Sequence, residues 1–515
     1  MPLRVPLRVP LGMRFGGRTL RFGKRPAGGR RPAKRDGESP AGDTLSNLSW
    51  IDDFFRESRE HIFAREEDGV VILPPNQVYK ANTTGVAIVR HMLAGGRVSD
   101  IPGIAEEERA RQVASFVSDL RNLYLGLPTD DGRAPYETVP YSFQYTTLPI
   151  LGEIAVTYRC NNACAFCYAG CGTHLEGCGS IPAAPTPLGL SGGKEMSLAE
   201  IERVIRTFKE EARVPFFSFT GGEPLLRGDL EDMIRFARHI GLQVNLITNG
   251  TLATPRRAVN LFRAGLRTAQ VSLESPESET HDALTARPGS YRQTLEGIRA
   301  LQKAGISIQT NTTVTARNAA DAPCMPAFLK SIGVSRFAMN LYLPPAGDRR
   351  PAEQDGESPT ANGAADTAQQ LFVPYARAGA IIEGIRTAAR EADLVFYWYS
   401  PIPHCHYNTI ARGLGNKSCA AMDGLLSVSA SGDVLPCSSY PEPMGNLLTD
   451  DFKEIWFSER ARFFKNKEYA PPECSGCGSF TACQAACPLY WRYAGTSEIR
   501  NPKSSPRVAA GVREA

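Results

Sequence analysis

Three cysteines stand close together in the run from Cys160 to Cys167, spaced Cys-x3-Cys-x2-Cys, with Phe166 directly before the last of them. Thiolates hold iron–sulfur clusters, and four of them normally complete a [4Fe–4S] cube. Three closely spaced ligands, Cys160, Cys164 and Cys167, leave one iron open to a substrate or cofactor, which is typical of a reactive metal site. Zinc sites use similar spacings, so the run alone leaves both metals open.

A second motif follows downstream, where the apolar and aromatic run Phe216–Thr220 ends in Gly221, Gly222, Glu223 and Pro224. This pattern predicts a buried strand followed by a turn. Glycines permit a close approach of the backbone to a ligand, and the carboxylate of Glu223 can pair with an ammonium group. A strand-ending turn with an exposed Glu is the plainer interpretation, but it does not explain the cysteines upstream.

Together the two motifs resemble the signature of the radical S-adenosylmethionine (SAM) enzymes. The resemblance implies that Cys160, Cys164 and Cys167 hold a [4Fe–4S] cluster whose open iron binds SAM. It also implies that the backbone of the Gly-Gly-Glu-Pro motif and the Glu223 side chain contact the SAM amino group. Reduction of bound SAM is then expected to yield methionine and a 5′-deoxyadenosyl radical, which abstracts hydrogen from an unactivated position.

Strand-like and helical patterns alternate through the middle of the chain. The strand-like runs are Ile154–Tyr158, Phe216–Thr220, Val244–Thr248, Gln270–Leu273, Ile306–Thr313 and Phe337–Tyr342. The helical stretches include Ser197–Ala212, Asp229–Ile240, Pro255–Ala264 and Tyr291–Ala304. The alternation predicts βαβ units with a parallel sheet, hence an α/β fold. Six repeats match the partial (β/α)6 TIM-type barrel of the radical SAM family, whose sites gather at the strand C-terminal ends.

Five candidate site residues fall at or near such strand ends: Cys160, Glu223, Asn249, Glu274 and Asn311. The resemblance implies contacts to the SAM ribose from Ser272 and Glu274, and a place for Asn311 beside the adenine or ribose. A plain barrel-lining strand remains an open interpretation around Asn311. Together with Phe166 and the Gly-Gly-Glu-Pro motif, these residues make up the expected SAM site.

A second group of cysteines lies in the C-terminal third: Cys419, Cys437, Cys474, Cys477, Cys483 and Cys487. The last four form a Cys-x2-Cys-x5-Cys-x3-Cys block, and Gly432 stands between the first two. This order resembles the SPASM extension, the auxiliary-cluster domain of radical SAM enzymes that modify peptides and proteins. A zinc-only module is the minority alternative. The family usually has one more cysteine after the block, and none follows Cys487.

By analogy these cysteines divide into a first set (Cys419, Cys437 and Cys487) and a second set (Cys474, Cys477 and Cys483). In this interpretation Cys405 completes the first set, and the second set keeps an open iron or recruits an oxygen or nitrogen ligand. One or two auxiliary [4Fe–4S] clusters are therefore expected. Cys324 is expected to be a small buried hydrophobe, and the roles of Cys171 and Cys178 stay open.

A separate pattern precedes the barrel. Gly69–Pro74 and Val78–Asn82 predict a two-stranded ribbon, and two helical stretches follow at Thr84–Leu93 and Glu106–Leu125. This order resembles PqqD-like domains, winged-helix-like α+β modules that bind the leader peptides of ribosomally made, post-translationally modified peptides. Such modules dock an extended peptide onto a sheet edge. A winged-helix module that serves only as an interface, or binds DNA, stays open, although a nucleic-acid partner is not expected.

Composition sets the boundaries of these parts. The chain has 515 residues and a net charge of +4, and residues 1–35 hold eleven Lys or Arg and no acid. The expected order is a disordered basic arm (1–49), a PqqD-like domain (50–128), the barrel (150–345), a flexible insertion (346–370), the SPASM domain (371–495) and a flexible tail (496–515). Residues 1–49 cannot bury enough apolar surface to fold. No apolar run has the length of a membrane span.

The expected function is oxidative modification of a peptide or protein presented by the N-terminal domain. Such a modification is a thioether, a carbon–carbon crosslink or an oxidised side chain, with a flavodoxin or ferredoxin as one-electron donor. Two alternatives stay open: a maturase of a small-molecule cofactor such as a porphyrin or quinone, and a non-catalytic metal-binding scaffold. Thirteen cysteines, most of them in cluster spacings, indicate a reducing compartment, so a cytoplasmic protein is expected. No side chain is assigned as a general acid or base.

Overall fold

The computed structural model describes residues 48–73, 77–125, 146–171, 194–344 and 368–499. These residues form two compact units, residues 48–125 and residues 146–499. The basic arm up to residue 47, Cys178, residues 345–367 of the predicted insertion and residues 500–515 of the predicted tail lie outside the described residues.

The first unit contains three helices and three strands: α1 (Ser49–Ser58), β1 (Phe63–Arg65), β2 (Val70–Leu73), β3 (Gln77–Lys80), α2 (Thr83–Leu93) and α3 (Glu107–Leu125). The predicted ribbon is confirmed, because β2 pairs antiparallel with β3, and the sheet order is β1-β2-β3. Helix α1 and strand β1 were not predicted. Ile51 and Phe55 on α1 pack into an apolar core that belongs to this unit alone.

The second unit is built on one ten-stranded sheet. Its strands are β4 (Leu151–Thr157), β5 (Phe216–Gly221), β6 (Gln243–Thr248), β7 (Thr268–Ser272), β8 (Ser307–Val314), β9 (Arg336–Leu341), β10 (Val395–Trp398), β11 (Leu425–Val428), β12 (Asp433–Leu435) and β13 (Gly445–Asn446). The strand order is β10-β9-β8-β7-β6-β5-β4-β11-β12-β13. All pairs from β10 to β11 in this order are parallel, which confirms the predicted α/β class and the six predicted strands, β4 to β9.

Helices connect these strands and follow them into the C-terminal part. They are α4 (Leu198–Glu210), α5 (Leu230–His239), α6 (Pro255–Ala264), α7 (Ser278–Thr285), α8 (Ser290–Lys303), α9 (Met325–Ser331), α10 (Tyr375–Glu391), α11 (Phe452–Trp456), α12 (Glu459–Lys465), α13 (Phe480–Cys483) and α14 (Pro488–Ala494). The sequence explains α4 well. Ser197 and Glu200 form a capping box at its start, and Val204 and Phe208 bury one face completely.

The barrel and the cysteine-rich part share this sheet, so both predicted domains lie within one compact unit. Strand β11 pairs in parallel with β4, from Leu425 opposite Leu151 to Val428 opposite Ile154. The predicted tail also begins too early, since the Glu498 carboxylate accepts a hydrogen bond from the Tyr490 hydroxyl at 2.6 Å. Within the described ranges, no helix combines the length and the apolar character needed to cross a membrane.

Candidate active site and cysteine clusters

The loop after β4 brings the first three cysteines together. Burial, together with smaller contributions from the nearby groups of Glu223 and Cys167, raises the pKa of Cys160 to about 11. Burial also raises the pKa of Cys164 well above its usual value, with further contributions from Cys167, Glu274 and Cys160. Three thiols predicted from spacing therefore share one place with two predicted carboxylates.

The C-terminal end of α7 holds this loop. The amides of Ala163 and Ala165 donate to carbonyl oxygens in the last turn of α7, at 3.0 and 2.9 Å. Arg287, just beyond that helix, donates to the carbonyl of Asn161 at 2.8 Å. The cysteine motif gives no signal for these partners, because they are distant in sequence and use main-chain atoms.

Asn249, at the end of β6, links its strand to the same loop. Its amide nitrogen donates to Asn161 Oδ1 at 2.9 Å and lies 3.9 Å from the Cys160 sulfur. Its side-chain oxygen accepts from the main-chain amide of Thr251 at 2.9 Å. Asn249 therefore ties the end of β6 to the loop beside Cys160, and its contact with the cofactor stays a prediction.

The two glycines of the Gly-Gly-Glu-Pro motif contact protein backbone rather than open space. A Cβ on Gly221 would lie 2.1 Å from the Thr157 carbonyl oxygen, and one on Gly222 would lie 2.2 Å from the Arg159 carbonyl oxygen. Gly221 also has a φ of +129°, which side chains with a Cβ rarely adopt. These glycines therefore let the motif pack against the chain that leads into Cys160, and their expected contact with a ligand stays a prediction.

The Glu223 carboxylate is fully buried and not exposed as the plainer interpretation required. It accepts hydrogen bonds from the Leu225 amide (2.9 Å), the Thr248 hydroxyl (2.7 Å) and the Asn249 amide (2.8 Å). Burial raises its pKa to about 6, and these three hydrogen bonds oppose the shift. Glu223 therefore fixes the turn at Pro224 and the end of β6, and its contact with a SAM amino group stays a prediction.

Glu274, after β7, is buried as well. Its carboxylate accepts from the Thr313 amide at 2.8 Å, and burial raises its pKa to about 8. Its amide donates to Nδ1 of His281 at 3.2 Å, which leaves the proton of a neutral imidazole on Nε2. Burial lowers the pKa of His281 to about 4, and Nε2 has no hydrogen-bond partner among the described residues. The sequence analysis did not place His281 in the site.

Ser272 and Asn311 lie opposite each other on neighbouring strands β7 and β8. The Asn311 amide nitrogen donates to Asn340 Oδ1 at 2.8 Å, whereas its oxygen is buried without a partner among the residues that the structure describes. Buried acceptors are rarely left unpaired, so this oxygen suits a donor such as a ribose hydroxyl or an adenine amino group. The residues present thus fit the expected cofactor.

Two residues of the cysteine run have further neighbours. Phe166 packs on a small apolar cluster of Leu284, Tyr342 and Leu371. Cys171, whose role was open, is buried beside the run, and its amide donates to the Cys167 sulfur at 3.3 Å. The Cys171 thiol also donates a hydrogen bond to the Cys167 sulfur, which lowers the pKa of Cys167 below its usual value.

The three thiols of the first auxiliary set lie close together in the structure, and their role as cluster ligands stays a prediction. Burial raises the pKa of Cys437 well above its usual value, and the thiols of Cys419 and Cys487 raise it further. Burial raises the pKa of Cys419, and the ammonium of Lys467 partly offsets this. Lys467 is itself buried, and it donates to the Cys419 carbonyl at 3.0 Å and to Asp423 at 2.8 Å.

In the second auxiliary set, a fourth thiol, that of Cys405, lies near the three predicted cysteines, where an open iron or an oxygen or nitrogen ligand was expected. Burial raises the pKa of Cys474 to about 11, and the thiols of Cys483, Cys405 and Cys477 add to the shift. The prediction that Cys405 completes the first set is therefore wrong, because the loop that carries it lies against the second set. Cys324 is exposed, so its prediction as a buried hydrophobe is wrong too.

The cysteine side chains of the described ranges are not arranged around a single metal-ion position. No group of three or more His, Cys, Asp or Glu side chains in those ranges is close enough to hold one metal ion. A tetrahedral zinc site draws its sulfurs to about 2.3 Å from one metal. A [4Fe–4S] cube instead binds each of its four thiolates through a separate iron.

Comparisons with known proteins agree with this geometry. The family model of the radical SAM superfamily matches residues 154–318, and that of the SPASM iron–sulfur cluster-binding domain matches residues 419–478. The first match runs from within β4 to beyond β8 and includes the three cysteines of the loop. The second match includes Cys419, Cys437, Cys474 and Cys477.

Two curated relatives differ in what their names describe. The AdoMet-dependent heme synthase of Methanosarcina barkeri is 31% identical over 314 residues, which cover 60% of this chain and 85% of the relative. The PqqA peptide cyclase of Streptomyces rochei is 27% identical over 344 residues, covering 65% of this chain and 83% of the relative.

Among solved structures, the crystal structure of Streptococcus suis SuiB matches with a TM-score of 0.56 at 17% identity, covering 84% of this chain and 95% of SuiB. SuiB bound to its precursor peptide SuiA matches with a TM-score of 0.53 at 16% identity, covering 84% of this chain and 98% of that one. At this identity the likeness concerns the fold.

Proposed function

Because the chain belongs to the radical SAM superfamily and carries a SPASM iron–sulfur cluster-binding domain, we propose that it oxidatively modifies a ribosomally made peptide or protein. When bound, SAM and its cluster supply a carbon radical that removes hydrogen from an unactivated position. The modification is a thioether, a carbon–carbon crosslink or an oxidised side chain, and a flavodoxin or ferredoxin supplies the electron.

The described residues have distinct tasks in this proposal. Cys160, Cys164 and Cys167 hold the SAM-binding cluster, and the end of α7 fixes their loop through main-chain hydrogen bonds. The buried Asn311 oxygen accepts a hydrogen bond from the nucleoside part of SAM. These residues lie at strand ends, and hydrogen bonds from neighbouring segments fix their positions. Such a site holds its ligand in one orientation, which radical chemistry requires for selectivity.

The peptide substrate is supported by the separate N-terminal unit. Its antiparallel sheet has β1 and β3 as outer strands, and an extended peptide adds to such a sheet by main-chain hydrogen bonds. The structural match with SuiB covers 84% of the chain, so it extends beyond residues 141–515 into the part of the chain that precedes the barrel. The matches with the heme synthase and the peptide cyclase cover 60% and 65% of this chain. Residues 141–515 are long enough to contain either match without any part of the N-terminal unit.

The test is co-production of the chain with each short reading frame encoded beside its gene, followed by mass spectrometry of the peptide. We expect one peptide to lose the mass of two hydrogen atoms for each crosslink formed. The variant with Cys160, Cys164 and Cys167 replaced by Ala is the control and should leave that peptide unchanged. If every encoded peptide keeps its mass in active, iron-loaded preparations, the peptide proposal is wrong.

Maturation of a porphyrin cofactor is the second candidate, because one curated relative at 31% identity is named a heme synthase. An iron porphyrin added under reducing conditions should then increase 5′-deoxyadenosine formation and be consumed in proportion. A peptide that is modified while porphyrins have no effect would exclude this candidate.

A further inference from the structure

The C-terminal cysteines divide unequally between the two auxiliary sites. We infer that Cys405 is the fourth thiolate ligand of the cluster held by Cys474, Cys477 and Cys483, in place of a cysteine after the block. The inference rests on the iron–sulfur chemistry of the proposed function. It makes the second auxiliary cluster fully ligated by protein.

The loop that carries Cys405 is fixed to the rest of the unit. The amides of His406 and Tyr407 both donate to the Pro403 carbonyl, at 2.9 and 3.1 Å, which forms a turn with Cys405 inside it. The Tyr407 hydroxyl donates to Glu383 on α10 at 2.7 Å. The imidazole of His406 bonds to the Glu498 carbonyl at 2.7 Å. A loop held on both sides presents its cysteine in one position.

That position is beside the second set. The amide of His404, directly before Cys405, donates to the Cys483 sulfur at 3.3 Å, so the two chain segments touch. Cys474 and Cys477 are brought together by a turn in which the Cys477 amide donates to the Cys474 carbonyl at 3.2 Å. Amides that donate to cluster thiolates are a usual means of stabilising their negative charge.

The consequence concerns the first set. Within the described ranges it keeps three thiols, and so an iron position open to a substrate atom belongs there. Burial raises the pKa of Glu153, on β4, and hydrogen bonds from Ser427 and Ser438 oppose the shift. Because Ser438 follows Cys437 directly, the first set stands at the wall of the barrel. Cys405 is exposed, which leaves the second set nearer to solvent.

The experiment uses the full chain with Cys160, Cys164 and Cys167 replaced by Ala, so that only auxiliary clusters remain. After anaerobic reconstitution this background should hold about eight irons. Adding Cys405→Ala should remove at least one iron per chain, and the oxidised protein should show the EPR signal of a three-iron cluster. Cys405→Ser, which offers an oxygen ligand, should keep the iron but change the EPR spectrum of the reduced cluster.

Cys324→Ala is the matched control, since Cys324 is also exposed and the cysteine block does not include it. It should leave iron content and spectra unchanged. Unchanged iron and EPR spectra in Cys405→Ala would overturn the assignment, as would zinc in place of iron in the second set. Neither readout needs SAM cleavage, so failure of the proposed function would be seen separately, in the unsubstituted chain.

Discussion

The cysteine loop depends on a missing side chain at Gly222. The carbonyl oxygen of Arg159 occupies the place where a Cβ would stand, 2.2 Å from it, and backbone cannot move aside as a flexible side chain can. We expect Gly222→Ala to lower the free energy of unfolding by about 1–3 kcal/mol, the usual penalty of overpacking. It should also reduce iron uptake at Cys160, because the shifted segment leads directly into that residue.

Gly228→Ala is the matched control for this change. Gly228 is exposed, and a Cβ there would have no neighbour within 4 Å. Denaturant unfolding and iron analysis of both variants decide the matter. Equal stability and equal iron in the two variants would mean that the contact with Arg159 has no influence on the loop.

Single residues show where sequence reasoning reaches its limit. The spacing of Cys160, Cys164 and Cys167 correctly predicted that their thiols lie close together, because neighbours in sequence are held near one another by the chain itself. The spacing gave the wrong partner for Cys405, since its neighbours are distant in sequence and only the folded chain brings them together. The contacts of Gly222 are invisible for the same reason.

Helix α7 supports the cysteine loop, and its C-terminal end is strained. Ala286 follows the helix with φ at +49°, a left-handed conformation that glycine adopts more readily. Because Ala286 is exposed, its methyl group contributes little packing. We expect Ala286→Gly to stabilise the chain by about 0.5–1 kcal/mol. Ala283→Gly, at an exposed position within the helix, should destabilise it by about 1 kcal/mol.

Both variants are measured by urea unfolding of the iron-free chain. The two expected changes in the free energy of unfolding have opposite signs, although both variants replace Ala by Gly at the same helix. The comparison therefore separates the effect of the left-handed conformation from the general effect of glycine. Destabilisation by both would show that the left-handed end of α7 is not strained. Iron analysis of the two variants after reconstitution also tests whether a more stable α7 improves iron retention in the loop that it holds.

Helix α10 anchors the Cys405 loop through an acid-sensitive contact. The Arg386 guanidinium and then the Tyr407 hydroxyl lower the pKa of Glu383 to about 2. A carboxyl with a lower pKa in the folded chain stabilises it while ionised. Its contribution is therefore present above pH about 4.5 and is lost as the pH falls towards about 2.

We expect Glu383→Gln to be less stable than the parent at pH 6 and to lose less stability between pH 4.5 and pH 2.5. Glu391→Gln, at the exposed end of the same helix, controls for the loss of one carboxylate. Stability is followed by urea titration at each pH. Parallel pH profiles of the parent and Glu383→Gln would contradict the role given to this contact.

The long periodic elements were predictable, and the short ones were not. Strands β4 to β9 and helices such as α4 carry clear apolar periods, because one face of each is buried in the shared core. Strands β10 to β13 have only two to four residues each, too few for a period to emerge. Their pairing with the barrel sheet is a long-range property that no local pattern encodes.

At the scale of the whole molecule, two separate cores distinguish the two units. Val117 belongs to the core of residues 48–125, and Val204 belongs to the core of residues 146–499; both are fully buried on helices. We expect Val117→Ala to lower the stability of the first unit by roughly 2 kcal/mol and leave SAM cleavage intact. Val204→Ala should lower the stability of the second unit and its retention of iron.

Differential scanning calorimetry with parallel iron analysis separates these effects. If Val117→Ala lowered iron content and SAM cleavage as much as Val204→Ala does, the units would not carry separate tasks. The sequence predicted the N-terminal unit from its own ribbon and helices. It did not show that the barrel and the cysteine-rich part are one unit, because that follows from the pairing of β11 with β4.

We expect this chain to cleave SAM at a cluster held by Cys160, Cys164 and Cys167, and this activity can be measured directly. Its most direct test is anaerobic reconstitution and incubation with SAM and dithionite, with 5′-deoxyadenosine, iron and zinc measured on one preparation. We predict 5′-deoxyadenosine together with about twelve irons per chain, four for each of three clusters. Zinc in the cysteine sites with no 5′-deoxyadenosine would contradict the account and leave a metal-stabilised binding protein.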